Sequence, residues 1–237
     1  MVFNLAGRKC LVFGGSSGIG LAACKSFLEH GATVIAISRN PPSAPLTAGI
    51  AHTICDVRDR AALATLFQRE APFDVLVSTA TGGDRAIGPF LQMDLDGFQA
   101  SFDKLWGYAN VVRLGAEHLK QDGCIVLVSG APARKCKPGQ VALASVGGAV
   151  ENFARAVAPE LVPRRLNVVS PGVIATPMFG AGDEMTAKVA AMSARNVIPR
   201  AGTPEEVAQA ILFVVQNEFV TGTTVDVDGG WLCQPPV

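Results

Sequence analysis

Short apolar runs alternate with longer amphipathic stretches along the whole chain. Seven runs predict strands: 10–14 (CLVFG), 33–38 (TVIAIS), 51–56 (AHTICD), 74–78 (DVLVS), 124–129 (CIVLVS), 166–170 (LNVVS) and 223–227 (TTVDV). Helical patterns lie between them, near 18–30, 59–70, 96–119, 142–162 and 204–216. In the third of these, Phe98, Phe102, Leu105, Ala109, Val112, Ala116 and Leu119 recur at steps of three and four, the spacing of one helical face. The last helix has a start signal in TPEE: Thr203 can cap, Pro204 suits the first turn and acidic residues follow. Strands that are apolar throughout, rather than alternating, are buried on both faces. Their alternation with helices predicts an α/β fold with a parallel sheet. No repeat or linker divides the chain, so one domain over residues 1–237 is expected.

Composition narrows the function. Hydrophobic residues make up 49% of the 237 and charged residues only 17%, well under the ~25% of ordinary domains, so a large core is available. The net charge is zero, which predicts neither a nucleic-acid nor an anionic-membrane partner. No apolar run approaches the ~18 residues of a membrane span. The first residues, MVFNLAGRK, lead straight into a strand and predict no signal peptide. Six cysteines without a CxxC pair predict free thiols and a cytoplasmic protein. The three histidines are scattered, so no metal site is expected.

The segment FGGSSGIG, residues 13–20, follows the first strand and opens the first helix. Glycines there let backbone N–H groups approach a pyrophosphate, whose charge the helix N-terminus favours. Gly14, Ser16, Ser17, Gly18, Ile19 and Gly20 are the candidate contacts. A carboxylate at the end of the second strand would select NAD through the ribose 2′-OH. Ser38 and Arg39 stand there instead, and a guanidinium pairs with a 2′-phosphate, which points to NADP(H).

The glycine spacing resembles the TGxxxGxG motif of short-chain dehydrogenases/reductases, with Phe13 at the threonine. Three further stretches carry the resemblance nearly to the end of the chain. CDVRD, residues 55–59, is similar to the family's adenine-pocket motif, with Asp56 and Val57 in the matching places. NVVSPGVIATPM, residues 167–178, resembles its nicotinamide loop, with Pro171, Gly172, Val173 and Thr176. TTVDVDGGW, residues 223–231, resembles its last strand and following loop. The motif after the fourth strand is altered to Ser78, Thr79, Ala80 and Thr81, leaving Ala80 as the matching cofactor contact. The resemblance implies a single doubly wound Rossmann-type domain, a seven-stranded parallel sheet with helices on both faces, and a homodimer or homotetramer assembled through the long helices and last strand. The stretch 176–185 (TPMFGAGDEM) falls where the family carries a substrate lid, with Gly180 and Gly182 as hinges and Met178, Phe179 and Met185 as an apolar wall.

The family's catalytic residues are a tyrosine, a lysine, a serine and an asparagine. Matching the helix end AVAPEL puts Leu143 at the tyrosine and Gly147 at the lysine. Gly130 falls at the serine and Lys104 at the asparagine. Three polar candidates survive. Lys104 and Tyr108, the chain's one tyrosine, are four apart and share a helical face, expected to be offset from the Phe98–Leu119 stripe. Ser129 is a candidate if its strand bulges, since a one-residue shift turns a side chain to the other face. Cys136, between Lys135 and Lys137, reads as part of a solvated basic loop. Two functions stay open: an atypical NADP(H)-dependent oxidoreductase reducing an activated small-molecule substrate, or a catalytically degenerate NADP(H)-binding structural or regulatory protein.

Overall fold

The computed structural model describes residues 3–233. Seven strands form one sheet: β1 (Lys9–Phe13), β2 (Thr33–Ser38), β3 (Ile50–Ile54), β4 (Phe73–Ser78), β5 (Leu119–Val128), β6 (Arg165–Pro171) and β7 (Thr224–Val227). All pairings are parallel and the spatial order is β3-β2-β1-β4-β5-β6-β7. The helices are α1 (Gly18–Glu29), α2 (Arg60–Glu70), α3 (Leu95–Ala100), α4 (Asp103–Gly115), α5 (Val141–Val157), α6 (Gly182–Ser193) and α7 (Pro204–Gln216).

Side-chain alternation explains why the strands are apolar throughout. Cys10 and Val12 of β1 enter a core with Phe27 of α1 and Ile211 of α7. Leu11 and Phe13 enter a second core on the opposite face, with Phe67 of α2, Val111 of α4 and Val150 of α5. Each face thus needs apolar residues, and the expected two-sided burial follows. Thr203 and Glu206 close a full capping box on α7, as TPEE predicted. At the other end of α7, buried Arg165 donates to the carbonyls of Val214, Val215, Asn217 and Val220, satisfying acceptors that a helix end leaves free.

Two expectations about the helices need correction. The stretch 96–119 is two helices, and Leu119 belongs to β5. Ser101 sits at the break: its hydroxyl donates to the Gly97 carbonyl at 2.8 Å while accepting from the Ala86 N–H at 2.9 Å. Such a serine competes with the backbone ladder and favours a bend. The buried face of α4 is Gly107, Tyr108, Val111, Val112 and Gly115; of the expected Phe98–Leu119 stripe, Val112, Ala116 and Leu119 are buried in the same core, while Phe98, Phe102 and Ala109 are not. Lys104 lies on that face, four residues before Tyr108. Helix α6 was unforeseen because it buries only Val189 and Ser193 and so carries almost no apolar period. Among the described residues no helix is long and apolar enough to cross a membrane.

Candidate active site

After β3 at the sheet edge the chain returns to pair β4 beside β1. The order reverses there, and a crevice opens at the carboxyl ends of the strands. It is a cavity of about 730 Å³, lined by the β1–α1 turn, the loops after β4, β5 and β6, and the first turns of α4 and α5.

The β1–α1 turn is shaped as a cradle. Gly14 has φ +77° and a Cβ there would fall 2.4 Å from Thr79 Oγ1; a Cβ on Gly20 would fall 2.2 Å from the Gly14 carbonyl oxygen. Only glycine permits that turn, which brings the N-terminus of α1 to the cavity wall. The first turn of α1 carries no acidic residue. The positive end of its dipole therefore meets no carboxylate of its own, and the cradle suits a pyrophosphate. Gly14, Ser17, Gly18 and Ile19 line the cavity, as do Ala80 and, across it, Pro171, Gly172, Val173 and Thr176. Ser16 and Gly20 shape the turn without lining the cavity.

Three expected cofactor contacts lie away from this wall. Arg39 is exposed after β2 and donates to the Gly82 carbonyl at 3.1 Å. Asp56 accepts from the Arg58 guanidinium at 2.9 Å, a pairing that holds its carboxyl below the usual range. Val57 is buried against α4, where a Cβ on Gly107 would come within 2.6 Å of it.

The other end of the cavity is largely aliphatic. Leu143 and Gly147, from the first two turns of α5, line it with Gly130. Lys104, in the first turn of α4, is half-buried there, and its Nζ donates to the Ser129 carbonyl at 3.2 Å. The same ammonium lies 5.6 Å from the centroid of the Tyr108 ring. Burial, and then the nearby charge of Arg85, pull the Lys104 pKa down to about 7.

Tyr108 and Ser129 are not placed as proton donors to the cavity. Tyr108 is fully buried, does not line the cavity, and its hydroxyl donates to the Val128 carbonyl at 3.0 Å. Burial pushes its pKa further up. Ser129 follows the end of β5; its backbone reaches the cavity but its hydroxyl donates to Glu151 Oε1 at 2.9 Å. Glu151, also buried, pairs with Arg134 Nε at 3.3 Å, and Arg134 pairs in turn with Asp226 of β7. Sequence reading missed Glu151, Arg134 and Arg85. Glu151 had a signal: it is the one charged side chain of Val141–Val157 before Arg155, amid small and apolar residues. Arg85 had none, since it sits in an aperiodic loop.

The lid expectation holds in part. Thr176 leads into a single turn, Pro177–Phe179, and then α6, with Gly180 at φ +109° and Gly182 at φ +62°. Met178 and Phe179 line the cavity; Met185 packs behind it against a small core around Trp231. Cys136 is exposed, with Lys137 stacked 4.3 Å over the Trp231 ring. Among the described residues no group of three or more His, Cys, Asp or Glu could hold a metal ion.

Comparison with known proteins extends this geometry. A family model described as enoyl-(acyl carrier protein) reductase matches residues 14–232. A short-chain dehydrogenase/reductase of Stachybotrys chlorohalonatus, ATR9, is 32% identical, with 98% of this chain and 99% of that protein covered. Among solved structures, the ligand-free aldohexose dehydrogenase of Thermoplasma acidophilum superposes with a TM-score of 0.89 at 26% identity, over 100% of this chain and 98% of the other. A small-chain dehydrogenase in complex with NADPH superposes with a TM-score of 0.81 at 28% identity, over 96% and 99%.

Proposed function

The chain belongs to the short-chain dehydrogenase/reductase family, and from that premise we propose that it is an NADP(H)-dependent oxidoreductase reducing an activated small-molecule electrophile. The observation that carries the proposal is the Lys104 ammonium, half-buried at the aliphatic end of a cavity whose other end is a pyrophosphate cradle. NADP(H) is favoured by Arg39 at the end of β2, and a related dehydrogenase is known with NADPH. When bound, NADPH supplies a hydride equivalent.

The chain's own residues divide the remaining work. Backbone N–H groups of the Gly14–Gly20 turn receive the pyrophosphate, and Arg39 the 2′-phosphate. Ile19, Ala80 and the Pro171–Val173 loop with Thr176 form the wall where the family holds the nicotinamide ring. Asp56 and Val57 take the adenine end. With a quinone or an electron-poor alkene, Lys104 Nζ gives the proton that neutralises the anion left by hydride addition; an iminium ion becomes a neutral amine on hydride addition and takes no proton from it. The Ser129 carbonyl anchors the ammonium and the Tyr108 ring supports it from below; Tyr108 and Ser129 act through Lys104 rather than on the substrate. A cation–π contact and one carbonyl leave Nζ free to turn a proton toward the cavity.

Activated electrophiles fit this wall better than simple ketones. Leu143, Gly147 and Gly130 offer no hydroxyl or second cation to polarise a carbonyl. Iminium ions, quinones and electron-poor alkenes need less general-acid help, which is worth about 10²–10⁴-fold in rate. The same bare wall supports a second reading, in which the chain binds NADP(H) without turnover as a structural or regulatory protein. NADPH consumption against a panel of ketones, imines, quinones and enones separates the two.

Assembly as a homodimer or homotetramer is part of the proposal. It is supported by the exposed Trp106 on α4 and by the open outer edge of β7, and sedimentation velocity tests it. Free cysteines at Cys10, Cys24, Cys55 and Cys124, all buried, suit a reducing compartment and favour the cytoplasm.

A further inference from the structure

The cavity carries three cations and, among the described residues, no carboxylate. Arg85, Lys104 and Lys188 line it; no Asp or Glu does. Asp84, next to Arg85 in sequence, and Asp183 and Glu184 of α6 are exposed and do not line the cavity, and two nearer carboxylates are engaged elsewhere. Asp103 pairs with Arg58 at 3.1 Å, and Glu151 is held by Ser129 and Arg134.

Arg85 differs from every other sheltered arginine among the described residues. Arg8, Arg164 and Arg165 are half-buried or buried, and each donates to oxygen: to Asp74 at 2.6 Å, to the Leu119 carbonyl at 2.8 Å and to the Val215 carbonyl at 2.6 Å. Half-buried Arg85 donates to the thioether of Met178. A guanidinium has five N–H donors and a thioether is a weak acceptor, so most of its donors lack a protein oxygen. Those free donors stay accessible on the cavity side, where an entering anion could take them up. Burial draws the Arg85 pKa down, and the Arg85 charge adds to the burial that lowers that of Lys104. An anion entering beside Arg85 would oppose both shifts.

The cofactor does not obviously supply that anion. Its phosphates are accounted for at the Gly14–Gly20 cradle and at Arg39, whereas Arg85 reaches Met178 and sits beside Lys104. The rest of the wall is largely apolar, with Ile87, Leu143, Val146, Phe179 and Met192, and carries the neutral polar Gln140. We propose that the electrophile is an acid with an apolar body, its carboxylate gripped by Arg85 while its reacting end faces Lys104. A planar guanidinium matches a carboxylate through two parallel hydrogen bonds. Lys188, on the exposed outer side of α6, adds positive charge at the rim. This inference names the substrate class for the oxidoreductase proposed above and rests on that reading for the word electrophile, but the binding preference stands without turnover.

Calorimetry on the full chain tests it, with and without saturating NADP⁺. The probes are 4-oxo-4-phenylbutanoate, its methyl ester and 3-phenylpropyl phosphate. The acid should bind tighter than the ester by about tenfold or more, the range of a charged hydrogen-bonded pair. Arg85→Met should erase that difference, and Arg85→Lys should keep part of it. NADPH affinity should change by less than about twofold in either variant. If Arg85→Met fails to fold, as judged by its melting curve, Arg85→Gln takes its place. Equal binding of acid and ester overturns the proposal, as does no binding by the acid or a preference that survives loss of Arg85. A tenfold loss of NADPH affinity in Arg85→Met also overturns it, by assigning Arg85 to the cofactor's phosphates. A phosphate ester preferred by about tenfold over the acid overturns the carboxylate assignment. A protein that prefers the acid yet consumes no NADPH with any electrophile upholds this inference and removes the proposed reduction.

Discussion

Lys104 of α4 and Ser129 after β5 are joined by a 3.2 Å hydrogen bond from Nζ to the backbone carbonyl. The bond is made at the carboxyl edge of the sheet, beside the wall where Leu143 and Gly147 stand. A carbonyl acceptor fixes the ammonium without neutralising it, and burial, then the charge of Arg85, set the direction of its pKa.

The proton-donor role proposed for Lys104 fixes the sign of a pH effect. The charged and titratable groups facing it are Arg85 and Tyr108, and neither loses charge near neutrality. With a pKa of about 7, Nζ is a competent acid below that value and loses its proton above it. The kcat/KM for reduction should fall as pH rises through about 7. Lys104→Met should flatten that limb, and a limb that survives the substitution would assign the proton to another group. Stability should move the other way. Because the folded pKa is depressed from the usual ~10.4, the buried charge costs most below pH 7 and progressively less between about 7 and 10. Lys104→Met should therefore gain most in melting temperature on the acid side.

Arg39 should decide between the two nicotinamide cofactors. Arg39→Ala is expected to weaken NADPH by about 1.5–3 kcal/mol, the worth of a charge-assisted hydrogen bond, and to leave NADH unchanged. Fluorescence titration of both cofactors with both proteins reads this directly. Wild-type affinities that are equal for NADPH and NADH would remove the argument for a 2′-phosphate site.

Restoring the family's missing pair should not restore alcohol chemistry. A Cβ on Gly147 would come within 2.9 Å of the Ala133 Cβ, closer than carbon atoms normally approach, so the turn Ala131–Ala133 must shift to admit any side chain. Gly147→Ala should cost about 1–3 kcal/mol, as overpacking does. Leu143→Tyr with Gly147→Lys should melt lower and oxidise secondary alcohols as slowly as wild type. Gly130 is different: a Cβ there meets nothing nearer than 3.6 Å and its φ of 167° is extended, so Gly130→Ser should fold normally. Thermal melts of the three variants order these costs, and robust alcohol oxidation by wild type would contradict the mechanism.

Much of the fold was legible because its signals are local and repeated. Seven runs gave seven strands: the central ones are apolar because they are buried on both faces, while the edge strands β3 and β7 are partly exposed and carry polar residues. The glycine turn was legible because close backbone contact, as at Gly20 and Gly14, leaves glycine no substitute. The long third helix misled because Phe98, Phe102 and Leu105 keep helical spacing across a break. That break is set by a hydrogen bond from Ala86, a residue in the preceding loop. Among the polar candidates, spacing put Lys104 beside Tyr108 correctly but could not orient them. Which of the two faces the cavity depends on Val128 and Ser129, whose carbonyls take up the Tyr108 hydroxyl and the Lys104 ammonium. Arg85 escaped notice because its place on the cavity wall is set by the packing of an aperiodic loop, which only the fold reveals.

NADPH consumption by wild type and Lys104→Met, across quinones, enones and iminium ions at a pH near 6.5, tests the central claim most directly. The account predicts turnover by wild type with at least one class, a loss of up to about 10²-fold in Lys104→Met with quinones and enones, little loss with iminium ions, and NADPH affinity unchanged. A wild-type protein that binds NADPH tightly and reduces none of them would contradict it, and would make this chain a nucleotide-binding protein in the frame of a dehydrogenase.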